Sequence, residues 1–173
     1  MTEDVLSISQ IAYDQDREVI RALFGEYLGW ANTMVEQHYG IRFDINTLIE
    51  NDMATLEKFM PPHGRLLVAR RNDAVAGCIG LQSISDRIGE IKRLYVRPVY
   101  RRYGVGTALI GAAIASARQM KFSVLRLDSA RFMSNAHSRY RAFGFETIAP
   151  YAESEIPTPY QKWWVFMELV FDS

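Results

Sequence analysis

The spacing of apolar residues predicts that the first third of the chain alternates between strand and helix. Residues 6–13 alternate as a strand. Residues 14–30 carry an apolar stripe at helical spacing, behind an aspartate that can cap the helix. Residues 32–43 are mixed and aromatic, which is typical of a loop or a broken helix. Residues 44–59 form a second predicted helix, which the pair Pro61-Pro62 ends.

The remaining pattern predicts a hairpin, a central strand and a parallel crossover. Asn72-Asp73 is a tight-turn signal between two apolar strands. An Ala-rich helix separates the central strand from the next one, so those two strands should lie parallel. The predicted elements, in order, are strands 65–71, 74–83 and 90–97, a helix from Val105 to about Met120, strand 123–128, helix 134–143, strand 145–149, a loop over 150–160 and strand 163–171.

The turn between the central strand and the Ala-rich helix predicts a phosphate site. Pro98 stops the strand by removing a ladder donor, and the run from Arg101 to Gly106 leads into the helix. A glycine turn at this place directs backbone N–H groups outward at the positive end of the helix dipole. Two arginines stand just ahead of it, so the expected ligand is a phosphate or a pyrophosphate.

Two common phosphate motifs do not fit this turn. The P-loop string G-x-x-x-x-G-K-[ST] does not occur in the chain. The dinucleotide turn G-x-G-x-x-G/A fits at Gly104 and Gly106, and Asp128 imitates its ribose-binding acid. Leu109, however, stands at its third position and is too large for close packing of helix on strand.

The remaining pattern, Arg101-x-x-Gly104-x-Gly106, resembles the pyrophosphate loop of the GCN5-related N-acetyltransferases (GNAT). Residues 136–145 resemble that family's A-x-x-x-Y-x-x-x-G-F helix and turn, and the run from Glu90 to Pro98 resembles a bacterial subgroup of uncharacterised members. The resemblance covers roughly residues 65–170. It implies an α/β, acyl-CoA N-acyltransferase-like fold: a single domain over residues 1–173 with a twisted, mixed, mostly antiparallel sheet and helices on both faces.

The resemblance also implies which residues bind acetyl-CoA. Backbone groups of the central strand would pair with the pantetheine arm and hold the thioester oxygen, and amides of the glycine turn would hold the pyrophosphate. Arg102 replaces a residue that is usually small. The implied binding residues are Leu94, Tyr95, Val96, Arg101, Arg102, Tyr103, Gly104, Val105, Gly106, Thr107 and Asn135.

Two residues are catalytic candidates. Tyr140 falls on the family's thiol-protonating tyrosine, and a phenol with a pKa near 10 suits a thiolate leaving group; the alternative is a core aromatic residue. Glu90 interrupts a strand that should be apolar and falls where histone-acetylating relatives carry a general base. Its alternative is an ion pair with Lys92, Arg93 or Arg126, and the sequence leaves both possibilities open.

Composition limits the other classes of function. The 173 residues suit one domain, and 49% hydrophobic residues are ordinary for a globular protein. The polar start Met1-Thr2-Glu3-Asp4 has no signal-peptide layout, no apolar run approaches the ~20 residues of a membrane span, and the single cysteine, Cys78, favours a reducing cytoplasm. The apolar run around Cys78 predicts a buried structural thiol. The spacing of His38 and His63 suggests no metal site.

Charge is unevenly distributed although the formal net charge is zero. Residues 87–141 carry 12 basic residues against two acidic ones, Glu90 and Asp128. A basic region can indicate a nucleic-acid partner. Here it coincides with the phosphate turn, so coenzyme A explains it without nucleic acid.

The acceptor is expected over the strands opposite coenzyme A. Aromatic residues with a few acids would suit a cationic amine, and packing in a core or a dimer seam suits them equally. We expect transfer of acetyl directly to a primary amine of a small molecule by a monomer or homodimer; protein N-termini as acceptors, or a non-catalytic acyl-CoA-binding module, are the alternatives. The expected acceptor wall comprises Tyr27, Trp30, His38, Tyr39, Tyr151, Glu153, Glu155, Tyr160 and Trp163.

Overall fold

The computed structural model describes residues 4–172, so Met1 to Glu3 of the polar start, and Ser173, lie outside the described residues. The α-helices are α1 (Arg17–Tyr39), α2 (Ile45–Ala54), α3 (Val105–Gln119) and α4 (Ser134–Ala142). The strands are β1 (Leu6–Gln10), β2 (Gly64–Arg71), β3 (Ala74–Ser85), β4 (Ile88–Val96), β5 (Val124–Ala130), β6 (Glu146–Ile148) and β7 (Trp164–Val170). Short 3-10 turns span Leu56–Phe59, Pro98–Tyr100 and Thr158–Trp163. The predicted order of elements is confirmed.

The strands form one seven-stranded sheet in the order β1-β2-β3-β4-β5-β7-β6. The β4–β5 pair is parallel, as the crossover through α3 predicts, and the other pairs are antiparallel. The expected mixed, mostly antiparallel sheet is confirmed. None of the helices within residues 4–172 is long and apolar enough to cross a membrane.

Helices cover both faces of the sheet, as expected. On one face α3 buries Leu109, Ile110 and Ala113, which recur at helical spacing and pack on Leu81 and Leu125 of the sheet. On the other face the apolar stripe of α1 packs with α2 against β2 and β3. Cys78 lies in this second core with no exposed surface, and burial raises the pKa of its thiol to about 12. The predicted structural thiol is confirmed.

The first helix is longer than its sequence predicts. The expectation of a loop or broken helix over residues 32–43 is wrong up to Tyr39, because buried Val35 continues the apolar face. The side chain of Asn32 is also buried, and its Oδ1 accepts a hydrogen bond from the Phe43 amide at 2.8 Å. Gly40, at φ +66°, ends the helix in the left-handed conformation that glycine tolerates.

A β-bulge interrupts β4 at the centre of the sheet. Cys78 of β3 lies opposite Tyr95 and Gly80 lies opposite Lys92, so β4 contains one more residue than β3 over this interval. Arg93, at φ +55°, lies in the bulge that accommodates this extra residue. Because neighbouring side chains of a regular strand point to opposite faces, the bulge allows Lys92 and Arg93 to lie on the same face.

Candidate active site

The two parallel strands form a fork. β4 and β5 pair from Ile88–Val124 to Glu90–Arg126 and then separate. The Arg97 amide donates to the Ala76 carbonyl on the β3 side, so in an antiparallel ladder Val96 directs its backbone groups to the opposite edge. The Val96 carbonyl is reached on that edge by Arg101 Nε at 3.2 Å. The far half of β4 therefore offers a backbone edge that β5 does not cover.

The glycine turn lies beside this edge. A Cβ built on Gly106 would lie 3.7 Å from Cγ2 of Val96 and 3.5 Å from Nη1 of Arg139, which is ordinary contact distance. Gly104 is the N-cap residue just before α3, at φ +74°, and within residues 4–172 no side chain caps the helix there. The first amides of α3 therefore keep their hydrogen-bonding capacity for an anion.

A cavity of about 290 Å³ opens at the fork. It brings two of the residues predicted for catalysis and cofactor binding, Leu94 and Tyr140, together with charged residues of β4, β5 and the β6–β7 loop. Tyr140 is 4% exposed, and burial, with the nearby Tyr27 and the charge of Asp128, raises the pKa of its phenol above the usual range. The cavity lining is mostly apolar: Tyr27, Leu28, Ala31, Asn32, Val35, Phe43, Leu48, Ile91, Lys92, Arg93, Leu94, Asp128, Ser129, Ala130, Met133, Ala136, Tyr140, Glu155, Ile156, Pro157 and Trp164.

The other predicted cofactor residues lie outside this lining. Tyr95 packs on the α1 side of the sheet with its ring 6.1 Å from Tyr27, and its backbone groups face Cys78 of β3 and not the fork. Val96 and the turn from Arg101 to Thr107 lie toward the start of α3. Asn135 is exposed in the first turn of α4.

Arg93 is the most heavily bonded cation at the site. Its Nε donates to Asp52 Oδ2 at 2.7 Å, and its Nη1 donates to Glu155 Oε1 at 2.7 Å. Nη2 reaches the second oxygen of each acid at 3.3 Å. The guanidinium thus binds two carboxylates in the bidentate manner that its planar set of N–H groups favours. It joins α2, the bulge of β4 and the β6–β7 loop.

Lys92 stands among three carboxylates. Its Nζ lies 3.4 Å from Glu90 Oε1, 3.5 Å from Asp128 Oδ2 and 3.4 Å from Glu155 Oε1. Burial lowers the pKa of this ammonium, but the three carboxylates outweigh burial and leave its pKa above the usual range. The acids surround an ammonium, and among residues 4–172 no group of three or more His, Cys, Asp or Glu side chains is arranged to hold a metal ion.

Glu90 is sealed beneath the site. It has no exposed surface and does not line the cavity. Its Oε2 accepts from the Tyr151 hydroxyl at 2.7 Å, and its Oε1 accepts from Gln82 Nε2 at 2.9 Å. Burial raises the pKa of Glu90, and Lys92 opposes that rise. This geometry supports the ion-pair alternative, and a role as base stays a prediction.

The structure places the residues of the expected acceptor wall in different surroundings. Tyr27 and Glu155 line the cavity, Tyr151 is buried against Glu90, and Glu153 is exposed and outside the cavity lining. The rings of the remaining wall residues belong to an aromatic cluster, which includes the stacked pair Tyr39–Trp163 at 5.4 Å. The residues in that aromatic cluster are Trp30, His38, Tyr39, Phe43, Phe132, Tyr160, Trp163 and Trp164.

The sequence did not mark Asp128 as part of the acceptor site. Its one sequence signal was its place after the apolar run of β5, and its spacing from the glycine turn suggested a ribose-binding acid instead. The structure places it in the cavity, where Ser154 Oγ donates to its Oδ2 at 2.8 Å. Only the folding of the β6–β7 loop over β5 creates this contact.

Comparison with known sequences identifies the family. The model of the acetyltransferase (GNAT) family matches residues 22–145. An uncharacterized N-acetyltransferase of Schizosaccharomyces pombe is 31% identical over 154 residues, covering 88% of this chain and 90% of its own. An IAA acetyltransferase of Azospirillum brasilense is 29% identical over 109 residues, covering 62% of this chain and 71% of its own. Because a yeast protein is among these relatives, they do not single out the predicted bacterial subgroup.

Solved structures share the fold. An acetyltransferase from Streptococcus agalactiae matches with a TM-score of 0.73 at 20% identity, covering 96% of this chain and 98% of its own. The PaiA N-acetyltransferase from Thermoplasma acidophilum, solved with coenzyme A, gives 0.72 at 19% identity, covering 96% and 99%. YncA from Salmonella typhimurium, solved with acetyl-CoA, gives 0.66 at 18% identity, covering 97% and 95%.

Proposed function

The chain belongs to the GNAT family of acetyltransferases and is an N-acetyltransferase, and from this premise we propose that it transfers acetyl from acetyl-CoA directly to a primary amine of a small molecule. The observation that carries the proposal is the cavity at the fork, which joins the open edge of β4 to the buried phenol of Tyr140. We further propose a single domain over residues 1–173 that acts in the cytoplasm as a monomer or homodimer, without nucleic acid, membrane or metal.

The residues present fit acetyl-CoA. The uncovered edge of β4 can pair with the amide groups of pantetheine through Leu94 and Val96, with Tyr95 between them. Gly106 leaves the space that a Cβ would fill, which allows a pyrophosphate to approach the first amides of α3. The remaining roles follow the family resemblance: Arg101, Arg102, Tyr103, Gly104, Val105 and Thr107 hold the phosphates, and Asn135 contacts the cofactor.

The chemistry requires few protein groups. Acetyl-CoA supplies an activated acetyl group as a thioester. Tyr140 protonates the departing sulfur, and its buried, protonated phenol keeps the required proton at neutral pH. A backbone N–H of β4 near Leu94 stabilises the negative charge on the thioester oxygen. Glu90 is the base that the resemblance implies, and it could act only through a neighbour, because its oxygens are bonded and buried.

The size of the cavity favours a small acceptor. Its volume of about 290 Å³ is at the lower end of sites for small organic ligands, which span roughly 300–1,000 Å³. Its walls are apolar and aromatic apart from the charged group around Lys92. An amine with a short apolar or aromatic portion suits such a site.

A thiol-release assay over a panel of acceptors tests the proposal. The panel comprises small arylalkylamines, polyamines, free amino acids and short peptides, each with acetyl-CoA. We expect turnover with small amines, confirmed by mass spectrometry of the acetylated product. Turnover confined to peptides would overturn the small-molecule assignment, and binding of coenzyme A without any turnover would overturn the proposed transfer.

A further inference from the structure

Among residues 4–172, one carboxylate oxygen of Asp128 has no hydrogen-bond partner. The side chain is 6% exposed and lines the cavity at the fork. Both of its polar contacts within residues 4–172, with Ser154 Oγ at 2.8 Å and with Lys92 Nζ at 3.5 Å, use Oδ2. Every buried side-chain N or O atom within residues 4–172 has a hydrogen-bond partner, so Oδ1 is an accessible atom and not an enclosed one. Because Asp128 lines the cavity, Oδ1 is available to a ligand there.

The charge around Asp128 favours a cation. Ion pairs connect four carboxylates to three cations, so the fully ionised group carries one surplus negative charge. Of these acids, Asp128 and Glu155 line the cavity. The members of the group are Asp52, Glu90, Asp128, Glu155, Lys58, Lys92 and Arg93.

The two acids of the cavity are not equivalent. Glu155 uses both oxygens on Arg93, and Lys92 and Arg93 together outweigh burial and hold its pKa below the usual range. Both oxygens of its carboxylate are therefore occupied by Arg93, in the bulge of β4. Asp128 is held through one oxygen only, which fixes the orientation of its carboxylate and leaves the other oxygen free.

Resting on the proposed function, we propose that Asp128 is a catalytic residue: Oδ1 binds the acceptor ammonium in the cavity and later accepts a proton from the reacting nitrogen. Ser154 and Lys92 are positioning residues that hold Oδ2. Tyr140 and Asp128 line the same cavity. The base and the acid of the transfer thus lie in one cavity.

The protons and bonds of the step balance. The bound ammonium first gives one proton to Asp128 Oδ1. The neutral nitrogen attacks the thioester carbonyl, so the C–N bond forms and the C–S bond breaks with its electron pair on sulfur. The sulfur takes a proton from the Tyr140 hydroxyl, and the nitrogen gives its second proton to the resulting phenolate. Asp128 then releases its proton to solvent, which restores both side chains and leaves an amide, coenzyme A and one released proton.

Two acceptors of similar shape test this role. Benzylamine is a cation at neutral pH, whereas O-benzylhydroxylamine has a far less basic nitrogen and is already neutral. For Asp128→Asn we expect kcat/KM with benzylamine to fall by about 10²-fold or more, the scale of a positioned proton acceptor. The loss with O-benzylhydroxylamine should be much smaller. Coenzyme A affinity by calorimetry should be unchanged.

Matched variants separate this role from a general loss of charge. Glu155→Gln removes the same unit charge from Lys92 but keeps Oδ1 of Asp128, so it should cost less than Asp128→Asn. Glu146→Gln, at an exposed acid of β6 outside the cavity lining, should leave turnover unchanged. If Asp128→Asn does not fold, Ser154→Ala tests the positioning of Oδ2 and should also affect benzylamine more than O-benzylhydroxylamine.

The outcomes distinguish the two proposals. Equal losses with both acceptors, or an unchanged rate with benzylamine, would overturn the role of Asp128 while leaving the acetyltransferase activity in place. If the wild-type protein acetylates no amine of the panel, the proposed function fails, and the role of Asp128 fails with it.

Discussion

Replacement of Arg93 by methionine tests whether burial, more than distance, determines how much an ion pair contributes to the stability of this protein. Arg93 is 8% exposed and binds Asp52 and Glu155, each with a shortest contact of 2.7 Å. Methionine keeps most of the side-chain stem but removes the charge. The buried carboxylate of Asp52 then loses its nearest cation, which is the costly way to break a buried pair.

The magnitude follows from what the two acids retain. Asp52 keeps Lys58 Nζ at 3.4 Å, and Glu155 keeps Lys92 Nζ at 3.4 Å. Removing one partner of a buried pair costs about 3–5 kcal/mol, and because each acid keeps a second cation we expect about 3 kcal/mol, the lower end of that range. With a urea m-value of about 2 kcal/mol per molar, the unfolding midpoint should fall by roughly 1.5 M.

Urea unfolding followed by circular dichroism measures this change, with Arg21→Met as the control. Arg21 pairs with Glu50 at 2.6 Å, but the two side chains are 40% and 65% exposed, so its loss should leave the midpoint nearly unchanged. The double variant Arg93→Met/Asp52→Asn should recover part of the loss, because it removes the orphaned charge. Equal effects of Arg93→Met and Arg21→Met would refute the reasoning.

Three further predictions concern the cofactor, the acid and the dependence of stability on pH. Gly106→Ala should weaken coenzyme A binding while the fold survives, since a Cβ there meets ordinary contact distances; calorimetry on the folded variant showing unchanged affinity would remove the phosphate assignment. Tyr140→Phe should lower kcat by about 10²-fold or more with little change in the KM for acetyl-CoA, and equal turnover in steady-state assays would return Tyr140 to a packing role. The pKa of Glu155 is lowered in the folded protein, so its stabilisation is present above the unfolded pKa and is lost as pH falls toward the folded one. Urea titrations from pH 7 to pH 3 should therefore show a shallower loss for Glu155→Gln, and parallel curves would contradict that linkage.

Features that depend on neighbouring residues were predictable. The element order follows from apolar spacing, and the turn from Arg101 to Gly106 was recognisable because a glycine turn before a helix is a local arrangement. The capping of α2 by Asp44, whose Oδ1 accepts from the Thr47 amide at 3.2 Å, is of the same kind. The parallel β4–β5 pair follows from the crossover rule, which needs only the order of the elements.

Features that depend on distant residues were not predictable in this way. The continuation of α1 past Trp30 depends on burial of Val35 in the core formed with β5 and β7, which no local pattern of residues 32–39 indicates. The bulge at Arg93 depends on the register between β3 and β4. That register decides that two consecutive cations share one face, a placement that a regular strand would forbid.

The sequence by itself therefore determined the class of fold, the glycine turn before α3 and the place of Tyr140 on α4, because each depends on residues close together along the chain. Only the tertiary structure decided what the charged residues do. Glu90 is sealed by Tyr151, Glu155 is committed to Arg93, and Asp128 keeps one free oxygen, and each outcome depends on the β6–β7 loop lying across β4 and β5. The partners of a charge in a folded protein are set by proximity in space, and here they lie 26 to 62 positions apart in the chain.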